Sequence, residues 1–103
     1  MPKYVLAYHG GSMPETAAAQ EKVMAAWGAW FGSLGEAVID GGNPTGLAKT
    51  VTSGAVRDGG GANPLTGYSL LTAADINAAV ALAKGCPILD AGGSVEVAEA
   101  IDM

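Results

Sequence analysis

The one histidine of the chain, His9, ends an apolar run and is followed directly by Gly10-Gly11. An imidazole is the side chain best suited to general-base work near neutral pH. Asp40, ahead of Gly41-Gly42, is the carboxylate that would orient it or hold a proton, and glycine pairs expose backbone N–H groups that can receive a developing anion. His9 and Asp40 are therefore the candidate acid–base pair. Around them stand candidate ligand contacts: Tyr8 and Tyr68 in apolar segments, Asp90 ahead of glycines, and Arg57-Asp58, where a guanidinium beside a turn offers an anion handle. Each has a plainer reading. A histidine at a strand end is commonly just a polar terminus, aspartates before glycine form turns through their own backbone bonds, and tyrosines in apolar runs are core.

Other chemistries are excluded by what is missing. With one His, one Cys and scattered carboxylates there is no metal-ligand spacing. The glycine run 59–61 has no following Gly-Lys-Ser/Thr and opens no helix, so it is not a phosphate loop, and no cofactor is expected. Cys86 is a lone thiol before Pro87, with no cation nearby to activate it. Five Lys and Arg against ten Asp and Glu give a net charge of −5, with no basic stripe for nucleic acid and no polybasic membrane patch. No signal peptide is visible and no apolar window reaches the roughly 20 residues of a membrane span, so the expectation is a cytoplasmic protein. At 103 residues, half of them apolar, the chain reads as a single domain over 1–103.

The elements that would carry these residues follow from periodicity. Residues 3–8 are a continuous β-favouring run, which suits a central strand. Ser12-Met13-Pro14-Glu15 has capping-box form and predicts a helix start. Val23, Met24, Trp27, Trp30, Phe31 and Leu34 then recur at three and four residues, a helical stripe that would supply most of the core. Gly28 and Gly32 lie off that stripe, either on a solvent face or where another chain approaches closely. Gly35 ends the helix, and residues 37–39 form a second strand before a turn. Residues 49–52 and 55–57 pair as a short edge hairpin, 67–71 form the next strand, and Thr72 caps a second helix ending at Lys84-Gly85. Residues 86–94 are loop, and 95–101 alternate as a half-buried last strand. The order β-α-β-(hairpin)-β-α-β predicts an α+β, ferredoxin-like sandwich with both helices on one face. Strand one is apolar on both sides, so a second copy covering the bare face is expected, giving a homodimer.

Lys3-Tyr4-Val5-Leu6-Ala7-Tyr8, the Trp-rich first helix, Val38-Ile39-Asp40-Gly41-Gly42, Arg57-Asp58-Gly59, Gly67-Tyr68-Ser69-Leu70-Leu71 and Gly93-Ser94-Val95-Glu96-Val97 together resemble the YCII-related family in its DGPF-domain branch. The resemblance spans nearly the whole chain. It implies a ferredoxin-like fold that dimerises face to face into an α+β barrel, and a small polar or aromatic ligand bound, and in some relatives transformed, through a His-Asp pair. It equally implies an alternative, a non-catalytic dimeric binding or accessory module linked to transcription regulation. Two departures stand out. The Asp-Gly-Pro-Phe motif is replaced by Asp58-Gly59-Gly60-Gly61, and the histidine that relatives carry in the first helix is absent near Ala26-Trp27.

Overall fold

The computed structural model describes residues 1–103. The strands are β1 (Lys3–His9), β2 (Val38–Asp40), β3 (Lys49–Val51), β4 (Val56–Asp58), β5 (Leu65–Thr72) and β6 (Ser94–Ala100), and the helices α1 (Ala17–Leu34) and α2 (Ile76–Ala83). Four strands form one antiparallel sheet in the order β2-β5-β1-β6, while β3 and β4 make a separate two-stranded hairpin. Both β1 and β2 run antiparallel to β5, which lies between them. The result is a mixed α+β structure. No helix is long and apolar enough to cross a membrane.

Side chains alternate along β1 as strand geometry requires. Tyr4, Leu6 and Tyr8 are buried on one face, against Trp30 and Leu34 of α1, Ala79 and Ala83 of α2, and Leu71 of β5. Val5, Ala7 and His9 occupy the other face, opposite Leu70, Tyr68 and Leu65 of β5, and no helix covers them. The predicted helical stripe divides. Trp30 and Leu34 are core, Trp27 and Phe31 pack at its margin, and Met24 is 65% exposed.

Three predicted boundaries move. The cap of α1 is Thr16, whose hydroxyl accepts from the Ala19 N–H at 3.2 Å, and not Ser12. The residues between β1 and Thr16 cross the sheet end as a loop, held in part by Gln20 Nε2 donating to the Pro14 carbonyl at 2.8 Å. Thr72 does not cap α2, because it is still paired with Lys3 in the sheet. Asp75 takes that place, accepting from the Ala78 N–H at 2.8 Å. The last strand stops at Ala100, so Ile101 contributes nothing to the core and is 76% exposed. Within the predicted loop 86–94, Pro87–Ala91 winds into a short 3-10 turn that buries Ile88.

Candidate functional site

β1 ends at His9, and the chain reverses through Gly10 and Gly11 at φ +68° and +81°, a region that favours glycine. This loop lies against the 3-10 turn closely enough that a Cβ on Gly11 would meet Ile88 Cγ1 at 3.1 Å. The end of β1 and the segment after α2 therefore meet. Two adjoining depressions open beside it, sharing Met13, Val23, Trp27, Thr66 and Ile88 as common wall.

The inner depression, about 290 Å³, lies between α1 and the β2–β5 side of the sheet. It exists because large rings on the helix face glycines on the sheet. Trp27 and Phe31 look toward Gly41, Gly42 and Gly67, where no side chain fills the gap. Neither Gly42 nor Gly67 can be replaced cheaply. A Cβ on Gly42 would collide with the Tyr68 carbonyl, and one on Gly67 would stand 3.2 Å from the Tyr8 ring. Three aromatic rings thus line this space, Tyr8, Trp27 and Phe31, with Tyr68 at its edge. Tyr8 meets Trp27 edge-on at 5.0 Å between ring centroids, and Trp27 lies 5.9 Å from Phe31. Such geometry favours a further ring inserted beside them.

The polar atoms at the floor form a buried relay. Tyr8 Oη donates to Ser69 Oγ at 2.7 Å, and Ser69 Oγ donates onward to the Gly41 carbonyl at 2.7 Å. Burial pushes the Tyr8 phenol up to about 12, a shift the Ser69 hydrogen bond partly opposes. Tyr8 is therefore a neutral donor at physiological pH. At the rim, Asn43 Nδ2 donates to Tyr68 Oη at 3.4 Å. Trp30 Nε1 donates to the Leu82 carbonyl at 3.1 Å, which anchors α1 over α2 and fixes the position of Trp27 one turn earlier.

The sequence-derived residues fall into five places. Tyr8 and Tyr68 line the inner depression, and Asp90 lines the outer one. His9 turns to the uncovered face, where Nδ1 contacts the Asn63 carbonyl at 3.0 Å and Nε2 contacts Glu96 Oε1 at 3.1 Å. Both partners are acceptors, so both contacts are hydrogen bonds only when the ring carries two protons. In this arrangement neither nitrogen is left to receive a proton from a substrate. Asp40 pairs with Leu70, level with Val5 and not with His9, and its Oδ1 accepts the Gly42 N–H at 2.8 Å. His9 and Asp40 are thus not brought together. It is Pro44 that reaches the level of Tyr8, through its bridge to Gly67. Arg57 and Asp58 lie on the exposed hairpin, where Asp58 pairs with Lys49 at 3.2 Å. Cys86 is buried, and burial pushes its thiol up to about 11, which keeps it protonated and unreactive near neutral pH. No group of three or more His, Cys, Asp or Glu is placed to hold a metal ion.

Trp27, Phe31, Met13 and Asn43 were not singled out as site residues by the sequence. The two rings read as part of a core stripe. The signal that distinguishes them is their i, i+4 spacing together with the glycine-rich segments 41–42 and 67 that supply the opposite wall. Comparison with known protein families and with curated proteins finds no match.

Proposed function

We propose that this chain is a small-molecule-binding protein of the YCII-related type, a ferredoxin-like homodimer that takes a small aromatic molecule between α1 and the sheet. One observation carries the ligand class: an apolar cavity of about 290 Å³ walled by the rings of Tyr8, Trp27 and Phe31, with a buried hydroxyl relay behind Tyr8. Pockets for small ligands have this character, mostly apolar and aromatic with a few placed polar groups. Binding is favoured over His/Asp acid–base chemistry because His9 and Asp40 are each engaged elsewhere in the chain. That matches the non-catalytic module implied by the DGPF resemblance, in which ligand occupancy would serve regulation.

The strand order β2-β5-β1-β6 supports the ferredoxin-like reading, since it is the order that two interleaved β-α-β units produce. The dimer is supported by surface arithmetic. The chain exposes 6771 Å², whereas a compact monomer of 10.2 kDa exposes about 5,300 Å². The residues of the β3–β4 hairpin are all exposed, Val51 at 74% and Val56 at 64%, and the sheet face of Val5, Ala7 and Leu70 is only half-buried. A two-stranded hairpin is marginal in water by itself. A second copy would cover both.

The test of the ligand class is a titration with benzyl alcohol, followed through the two tryptophan indole N–H resonances in ¹H–¹⁵N NMR. Trp27 is expected to shift and Trp30, bonded to Leu82, to move much less. Phe31→Ala should weaken binding about threefold to tenfold, the worth of one aromatic pair. An unmoved Trp27 resonance at millimolar probe would overturn the reading.

A further inference from the structure

The outer depression, about 550 Å³, is chemically unlike the inner one. Its walls bring one cation and one anion from separate elements: Lys22 from α1 and Asp90 from the 3-10 turn. Both side chains belong to exposed residues. The ion pairs within the chain are His9–Glu96 and Lys49–Asp58, so Lys22 and Asp90 are paired neither with each other nor with any other residue. Gly10 and Gly11 line the same depression, presenting backbone and no side chain. Trp27 belongs to both depressions, so a molecule whose ring lies in the inner space extends over Trp27 into the charged one.

We propose that the ligand is an aromatic zwitterion of α-amino-acid type, its ring in the inner cavity, its carboxylate toward Lys22 and its ammonium toward Asp90. This rests on the aromatic-cavity reading and adds the head group. A ligand with one charge would satisfy one wall and leave the other unpaired. A zwitterion satisfies both, and it also approaches a chain of net charge −5 without the repulsion that a simple carboxylate meets. The recognition is divided accordingly: rings supply contact area, and the charge pair supplies the choice among molecules that share a ring.

The test uses four phenyl probes on the native chain, read through the Trp27 indole N–H: benzyl alcohol with no charge, 3-phenylpropionate, 2-phenylethylamine, and L-phenylalanine with both charges. L-Phenylalanine is expected to bind about tenfold tighter than benzyl alcohol, as two charge-assisted contacts at a partly open site provide. Lys22→Gln should weaken 3-phenylpropionate and L-phenylalanine while leaving benzyl alcohol and 2-phenylethylamine unchanged. Asp90→Asn should weaken 2-phenylethylamine and L-phenylalanine and leave the other two. Both substitutions are at exposed positions, so the fold is not at stake. Equal affinity for all four probes, or loss of every probe in either variant, overturns the zwitterion while the aromatic cavity stands. Failure of all four to move Trp27 overturns both.

Discussion

Tyr8 holds two positions in the molecule: it is 4% exposed within the core, and its ring forms part of the cavity wall. Its hydroxyl is saturated by Ser69, so ionising it means leaving a charge among Trp27 and Trp30. The folded value is raised from 10.0 to about 12, and that of Cys86 from 9.0 to about 11. Both groups then hold protons that the unfolded chain has already released. Stability is complete below about pH 9, falls as pH rises past the unfolded values, and is lost through the folded ones, between about pH 9 and 12. Urea midpoints should hold from pH 8 to about 9 and fall from there to pH 11, and Tyr8→Phe should flatten the upper part of that fall. An unchanged slope in Tyr8→Phe would place the alkaline sensitivity elsewhere. Single residues also explain where the site was legible. Tyr8 and Asp90 were readable as lining residues because an apolar strand end and a glycine-rich turn are local signals, whereas the register that turns the Tyr68 side chain to the other face is not. Glu96 as the partner of His9 was not, since the pairing joins residues 87 positions apart.

At the scale of elements, α1 offers the sharpest contrast. Nothing lies within 4 Å of a Cβ added at Gly28 or Gly32, whereas at Gly42 the added atom would strike the Tyr68 carbonyl at a φ of +72°. Gly28→Ala should therefore stabilise the chain by up to about 1 kcal/mol through helix propensity. Gly42→Ala should cost several times that, or prevent folding. Paired denaturation curves decide it, and a destabilising Gly28→Ala would mean that something covers that face of α1. The elements themselves were readable because periods of 2 and 3.6 are set by local geometry. Their ends were not. Thr72 has the chemistry of a cap but lies in register with Lys3, and Ser12 has the capping-box spacing but sits in a loop drawn over Ile88. In both places a contact distant in sequence outweighed a local preference of about 1 kcal/mol.

The whole molecule is broad and thin, 44 × 43 × 18 Å, with a radius of gyration of 14.8 Å where a compact chain of this length has about 12.8 Å. Only 13 of its 103 residues are buried, too few to leave one sheet face uncovered without cost. The protein should elute at about twice 10.2 kDa, and Leu70→Glu, on the uncovered face, should shift it to monomer and lower its thermal midpoint. A native chain that is monomeric at micromolar concentration, with the same thermal midpoint at tenfold dilution, would refute the covered face.

β1 is an inner strand of the sheet that is made before either of its partners. β1 pairs on one side with Leu65–Thr72 and on the other with Ser94–Ala100, both of which are made after it. During synthesis at about 5–20 residues per second, Tyr4-Val5-Leu6-Ala7-Tyr8 therefore waits several seconds with both hydrogen-bonding edges open. When the pairing comes it must close loops of tens of residues before any contact rewards it, which places folding among the slower topologies. The time this protein is most exposed to aggregation lies before β6 exists, when its most apolar strand has been made and its neighbours have not.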